Sequence, residues 1–258
     1  MSLKELAPTY YNRLKVVTNE VNKCENLLNA GCGDGFFDIY LKNKTEQLHS
    51  IDINKGEIEI AKIINPDENV TYHLGTIEKL PFSDNFFDYI LCTDVLEHLK
   101  SDQKAISELI RVLRKGGKLI VSVPSKNFPF FYDPINYILN RLGRKLKMGI
   151  WGWGHERLYT FRLLEKKIGL KVVKRKCFTF SLASFFENSY NSAFLSRFVK
   201  NDPKNQEKVS SDIDKIKKTA FYKLPQTLIK IRDFIIKLDN KLFINSKRSV
   251  DIMVVFEK

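Results

Sequence analysis

Apolar residues along the first half of the chain fall in short runs, and between the runs they recur every three or four positions. The runs NLLNA (26–30), LHSIDI (48–53), VTYHL (70–74), FDYILC (87–92) and GKLIVSVP (117–124) read as strands. The stretches 3–23, 36–43, 56–64 and 102–114 read as helices with one apolar face. Strands alternating with helices predict βαβ units and a mostly parallel, doubly wound α/β sheet. Lys115-Gly116-Gly117 reads as the C-terminal cap of helix 102–114. Beyond Pro124 the regular alternation stops. Residues 125–156 are aromatic, basic and punctuated by Gly and Pro, an insertion placed like a lid. A helix (160–168), a strand (170–180) and a mainly helical stretch (181–247) follow. The closing segment, 248–258, contains VDIMVVFE, too apolar for a sheet edge, so it is expected inside the sheet. No internal repeat divides the chain. The expectation is a single domain: an N-terminal helix in 1–25, a core in 26–124, then the two insertions and the final strand.

Composition narrows the class. With 258 residues, 43% hydrophobic and 28% charged, the chain has enough apolar material for a real core, which excludes disorder as its main state. Four cysteines, Cys24, Cys32, Cys92 and Cys177, stand far apart with no CxxC pair, against a disulfide scaffold or a zinc ribbon. The first residues lack the apolar core of a secretory signal, and no run approaches the roughly 18 residues of a spanning helix. A cytoplasmic protein is expected, attached at most to the inner membrane surface. The net charge is +13 and unevenly placed: residues 1–124 carry 15 Lys/Arg against 18 Asp/Glu, residues 125–180 carry 13 against 3. A basic second half fits an anionic partner: a nucleic acid, an anionic membrane or an acidic substrate.

The most informative motif follows the first strand. Gly31-Cys32-Gly33-Asp34-Gly35 joins strand NLLNA to a helix, and Asp52 ends the next strand, 21 residues after Gly31. Glycines there permit a tight turn and a close approach of ligand to backbone, and an acid at that spacing can accept both hydroxyls of a ribose. Phe36 stands where a dinucleotide fingerprint needs its third glycine. The loop has no cation for a phosphate, and Asp34 would repel a pyrophosphate. An adenosine cofactor without phosphates fits better, and S-adenosylmethionine is such a molecule.

The segments LLNAGCGDG, SIDIN, GTIEKLPFSDNFFDYILCTDVLEHL and ELIRVLRKGGKLIVSVP resemble the successive motifs of class I S-adenosylmethionine-dependent methyltransferases, in the small-molecule (type 11) branch. The resemblance covers residues 26–124 closely, and GHERLYT (154–160) and the last strand more loosely. It implies a seven-stranded Rossmann-like sheet and an enzyme using S-adenosylmethionine. It also implies that Gly31, Cys32 and Gly33 line the methionine moiety, that Asp52 holds the ribose and that Ile53 packs on the adenine. Thr76 and Ile77 stand at the adenine-amine position, and the backbone carbonyls of Cys92 and Thr93 face the methionine ammonium. Asn29 and Thr76 replace acids that the family usually carries.

Methyl transfer requires alignment, plus a base when the nucleophile is a hydroxyl. His98 and His155 are the candidate bases. Asp94, Glu97 and His98 have i, i+3, i+4 spacing, so on a helix they would share a face able to ligate a divalent ion; methyltransferases of ubiquinone biosynthesis carry a similar pattern. No metal is assigned unless those three hold it. The insertion FPFFYDPINYILNRLGRKLK (128–147) interleaves aromatics and cations, as does a surface that meets membrane headgroups. The stripe Leu224, Leu228, Ile231, Ile235, Leu238 and Leu242 adds a second amphipathic helix. The expected acceptor is a small or lipid-linked molecule, methylated on oxygen, with peripheral contact to an anionic membrane. The alternatives are an RNA methyltransferase and a non-catalytic methyltransferase-like partner protein.

Overall fold

In the computed structural model, residues 3–190 and 225–258 are described. Seven strands form one sheet: β1 (Cys24–Ala30), β2 (Thr45–Asp52), β3 (Val70–Leu74), β4 (Phe87–Thr93), β5 (Leu113–Pro124), β6 (Lys171–Phe178) and β7 (Asp251–Glu257). Their order is β3-β2-β1-β4-β5-β7-β6. The pairs β2–β3, β1–β2, β1–β4 and β4–β5 are parallel. β7 is antiparallel to both of its neighbours, β5 and β6. It thus takes the interior place that its apolar run called for.

The helices are α1 (Pro8–Thr18), α2 (Asp38–Leu41), α3 (Lys55–Ile64), α4 (Gln103–Val112), α5 (Pro134–Arg141), α6 (Phe161–Ile168), α7 (Ser181–Tyr190) and α8 (Gln226–Phe243). Side chains alternate between two cores because successive strand residues point to opposite faces. Leu28, Ile90, Cys92, Val121 and Val254 pack with Ile106 and Leu109 of α4 and Leu164 of α6. Leu27, Leu91, Ile120 and Met253 pack on the other face with Val16 and Val17 of α1 and Leu41 of α2. Both faces are covered, which is why the inner strands read as continuous apolar runs. Local chemistry sets the helix ends. Asn54 caps α3 by accepting the N–H groups of Gly56 (2.9 Å) and Glu57 (3.3 Å), and Gly169, with φ +70°, ends α6 in the left-handed region.

Three local expectations change. Lys115-Gly116-Gly117 does not cap a helix: α4 ends at Val112, and these residues lie within β5. Leu113 pairs with Phe87 and Lys118 with Tyr89, so the residues between bulge outward. The C-terminal residue pins the bulge, with Gly116 N–H donating to Lys258 O (2.7 Å) and Lys258 N–H to Gly117 O (3.1 Å). The expected helix 3–23 breaks at Pro8 into a 3-10 turn (Leu3–Leu6) and α1. The expected helix 36–43 is one α-turn continued by a 3-10 turn (Lys42–Lys44). Of the helical stretch 181–247, α7 and α8 are described; residues 191–224, with Leu224 of the apolar stripe, lie outside the described residues. Asp239 of α8 joins the two by accepting the N–H groups of Phe180 (2.6 Å) and Leu182 (2.8 Å). No helix of the described residues is long and apolar enough to cross a membrane.

Candidate functional site

The chain leaves β1 for β2 on one side and reaches β4 on the other, so the strand order reverses between β1 and β4. Loops after the carboxyl ends of these two strands flank a crevice, the place where open α/β sheets bind ligands. The loop after β1 is the glycine segment. Gly31, Gly33 and Gly35 all have positive φ, at +80°, +52° and +72°. A Cβ at Gly31 would collide with Val95, whereas one at Gly33 would meet nothing within 4 Å. Gly31 is therefore required by packing, and Gly33 faces open space. The loop is fastened to β2: the N–H groups of Gly31 (2.8 Å) and Cys32 (3.0 Å) both donate to Ile51 O.

Asp52 organises the same corner. Its Oδ2 accepts Gly33 N–H at 2.8 Å and its Oδ1 accepts Asn54 N–H at 2.9 Å. An ionised carboxylate has about four acceptor positions, so two remain for ribose hydroxyls. Ile53, next to it, is 76% exposed, an apolar surface beside a polar anchor. Thr76 Oγ1 accepts Glu78 N–H (3.2 Å) and shapes the turn after β3. Ile77 is buried in the core beside Ile51, and the Cys92 side chain is likewise in the core, so only their backbones can face the crevice. Cys32 is buried, and burial pushes its thiol and that of Cys92 well up, so neither is a ready nucleophile. Asn29 does not reach into the crevice: its amide donates to buried Asp38 Oδ1 at 2.7 Å. Burial raises the Asp38 carboxyl to about 7, against the hydrogen bond from Asn29.

The end of β4 departs from the sequence reading. Residues 94–98 form a turn, not a helix, and Asp94 has φ +55°. Asp94 is ion-paired with Arg13 of α1, which takes it away from Glu97 and His98 as a shared ligand face. The cluster of potential ligand atoms is instead Glu97, His98 and His155, all within 4.8 Å of one another. The His98 and His155 rings lie 4.9 Å apart, although they stand 57 positions apart in the chain. Backbone bonding brings them together: Glu156 N–H donates to Glu97 O at 2.8 Å, and His98 Nδ1 is 3.4 Å from Gly154 O.

The electrostatics of this cluster are unusual. Glu97 is fully buried, and its carboxyl oxygens have no hydrogen-bond partner among the described residues, His98 Nε2 standing 4.0 Å from Oε1, so burial first and Asp94 second hold it well above the usual carboxylate range. Burial, then His98, then Arg13 push His155 down to about 4. His155 is neutral near pH 7, with a hydrogen bond to the Ile150 backbone and a buried Nδ1 that has no partner. Burial lowers His98 too.

Sequence reasoning missed the roof of the crevice. Arg13 donates to both oxygens of Asp251, each at 3.0 Å, besides pairing with Asp94. Tyr10, one turn earlier, meets Phe36 at a tilt (ring centroids 5.7 Å apart) and Phe37 edge-on (5.9 Å), just after the glycine loop. An arginine inside an amphipathic helix reads as a solvated charge, and the acid that starts the final strand was the one available clue.

The comparisons accord with this geometry. A family model described as a methyltransferase domain matches residues 28–121. The chain is 31% identical over 133 residues to the uncharacterized methyltransferase YcgJ of Bacillus subtilis, covering 50% of this chain and 52% of that one. It is 29% identical over 136 residues to a ubiquinone biosynthesis O-methyltransferase of Coxiella burnetii, covering 50% and 58%. The chain thus spans about half the length of the curated relatives it matches. Among solved structures its fold resembles that of the phosphoethanolamine N-methyltransferase 2 of Haemonchus contortus in complex with S-adenosyl-L-methionine, with a TM-score of 0.57 and 15% identity, over 95% of this chain and 52% of that one.

Proposed function

We propose that this chain, whose residues 28–121 match a methyltransferase domain model, is a class I methyltransferase of the type 11 branch and transfers a methyl group from S-adenosylmethionine to oxygen of a small or lipid-linked acceptor. The observation that carries this reading is the corner made by Gly33 and Asp52: an open backbone cradle, a carboxylate with acceptor positions to spare and an exposed apolar residue, Ile53, beside it. That donor set fits an adenosine whose other end carries no phosphate. When bound, S-adenosylmethionine supplies an electrophilic methyl group on a sulfonium.

The chain's own residues do the rest. Asp52 holds the ribose and Gly31 and Gly33 admit the methionine end, so that alignment is set before reaction. Tyr10 and Arg13 close α1 over the crevice and exclude water. His155, neutral near pH 7 and with its Nδ1 free, accepts the acceptor's hydroxyl proton. His98 stands beside it and fixes the ring, 4.9 Å away. Exposed Phe130, Phe131, Ile135 and Leu142 support peripheral contact with an anionic membrane at its cytoplasmic face.

The test is incubation of the protein with methyl-labelled S-adenosylmethionine and a fractionated lysate. Label in small molecules or lipids is the expected result. Label in RNA moves the activity to the nucleic-acid alternative, and label nowhere, together with no cofactor binding, leaves the non-catalytic alternative.

A further inference from the structure

Two residues past the end of β5, the chain borders a cavity of about 270 Å³. Lys126, Arg141, Lys247 and Arg248 line it around Phe128 and Tyr137, and among the described residues no carboxylate does. None of the four cations has an ion-pair partner among the described residues. Elsewhere the same chain pairs its cations readily, as Lys171 does with Glu257 and Arg175 with Glu165. Both arginines are drawn to one ring: Arg141 lies 4.6 Å and Arg248 5.5 Å from the centroid of Tyr137. Arg141 also donates to the Tyr137 hydroxyl at 2.9 Å.

Four like charges gathered over a buried phenylalanine repel one another, and the apolar floor strengthens that repulsion. An anion relieves it. Two guanidinium forks and two ammonium groups exceed what a single carboxylate needs, and they match a phosphoryl group, whose oxygens take paired N–H donors from arginine. The side amides of Asn127 and Asn140 add neutral donors at the same walls. Next in the chain to the lining residues Tyr137 and Arg141, Ile138 of α5 is 53% exposed and Leu142, just past the helix, 67% exposed. A ligand seated here thus has an anionic end in the cavity and apolar surface waiting for the rest of it.

We propose that this cavity binds the phosphoryl group of an amphiphile, and that the methyl acceptor is such a phosphorylated molecule. The second clause rests on the methyl-transfer reading above; the binding does not. The position suits both. The cavity lies on the same edge of the sheet as the crevice, because Lys126 follows the carboxyl end of β5 and Arg248 stands three residues before Asp251, the partner of Arg13. Ser249 N–H donates to Asn127 O (3.2 Å) and Ser125 N–H to Val250 O (2.8 Å), which fixes the two walls to each other.

The test is calorimetric titration of the full chain with inorganic phosphate, decyl phosphate and the uncharged decyl glucoside. Decyl phosphate is expected to bind more tightly than inorganic phosphate, and decyl glucoside not measurably. The double variant Arg141→Gln, Arg248→Gln removes two exposed side chains; it should melt like the wild type and bind decyl phosphate about tenfold more weakly or worse. Sedimentation with vesicles separates the two sources of the phosphoryl group. Binding to phosphatidylglycerol but not phosphatidylcholine, lost in the double variant, assigns a lipid headgroup; no sedimentation with decyl phosphate still bound assigns a soluble acceptor. Equal decyl phosphate binding by wild type and double variant, or none by either, overturns the proposal. A parallel titration with S-adenosylmethionine keeps the readings apart: its failure sinks methyl transfer and leaves the cavity standing, and the reverse result sinks the cavity alone.

Discussion

Arg13 and Asp251 stand 238 positions apart in the chain and share two hydrogen bonds of 3.0 Å. The pair joins the first helix to the last strand directly over the crevice, and Asp94 at the end of β4 completes it. Asp251 is only 1% exposed. Burial pushes its carboxyl up, and the Arg13 guanidinium opposes that shift. Each partner is therefore held in place by the other: neither charge is affordable alone in that position.

The first prediction concerns this pair. Arg13→Met leaves a buried carboxylate without its cation, and breaking such a pair from one side costs about 3–5 kcal/mol. Urea denaturation should show that loss. Arg13→Lys should recover part of it, because an ammonium restores charge but not the two-pronged geometry. A variant as stable as the wild type would show that the roof of the crevice does not depend on Arg13.

The second prediction concerns Asp52. S-adenosylmethionine should raise the melting temperature of the wild type, and NAD should not. Asp52→Ala removes charge-assisted bonds worth about 1.5–3 kcal/mol each and should lose most of that gain. The variant's own melting temperature must serve as its baseline, since Asp52 also holds Gly33 and Asn54. Stabilisation by NAD with none by S-adenosylmethionine would overturn the cofactor assignment.

How much of this was readable in advance follows from the range of the interactions. The strands were visible because both faces of the sheet are covered, so Ile90, Leu91 and Cys92 had to be apolar in succession. The glycine loop and Asp52 were visible because two adjacent strands fix their spacing. What stayed hidden depends on residues far along the chain. Gly116 looked like a helix cap because its partner is Lys258, and the bulge exists only once β5 and the C-terminus meet. Asp94 looked like a helical ligand because its left-handed backbone leaves no local trace in the sequence. His98 and His155 each stood out as candidates, but their meeting depends on the Glu97–Glu156 backbone bond.

The third prediction concerns the base. His155→Ala should lower turnover about 100-fold while leaving cofactor affinity nearly unchanged. The pH dependence carries a sign. Because burial lowers the His155 pKa to about 4, the neutral, proton-accepting form persists through mild acid. The acid limb of the wild-type profile should therefore fall near pH 4, not near the ordinary histidine value of about 6.5. A limb at 6.5 would mean that another group accepts the proton.

The fourth prediction concerns metal. Glu97, His98 and His155 are close enough to share an ion, but ligation needs an ionised carboxylate, and burial holds Glu97 well above its usual range. Asp94, which would have supplied the charge, is engaged by Arg13. Treatment with a chelator should leave turnover within about twofold, a change too small to signal the loss of a metal's Lewis-acid contribution. A large loss, restored by magnesium, would make the three residues ligands.

The fifth prediction concerns the aromatic insertion. Asp133 and Asn136 hold its backbone, with Asp133 Oδ2 accepting Ile150 N–H at 2.9 Å and Asn136 Oδ1 accepting Leu146 N–H at 2.8 Å. Phe128, Ile150 and Leu158 give it a small core of its own. Against that ordered frame, Phe130 is 40% and Phe131 52% exposed, beside Phe185 of α7, which is 51% exposed. Replacing Phe130 and Phe131 by Ser removes apolar surface and leaves Asp133, Asn136 and every cation of the insertion in place; the Tyr137 ring, 5.4 Å from Phe130, loses one neighbour. If the insertion enters the headgroup region, this double variant should sediment less with anionic vesicles even at a salt concentration that already screens the charges. If charge alone holds the protein there, salt should abolish sedimentation and the two substitutions should add nothing. Wild-type protein that sediments with neither anionic nor neutral vesicles would make the insertion a lid over the crevice, with its phenylalanines turned toward the acceptor instead of toward lipid.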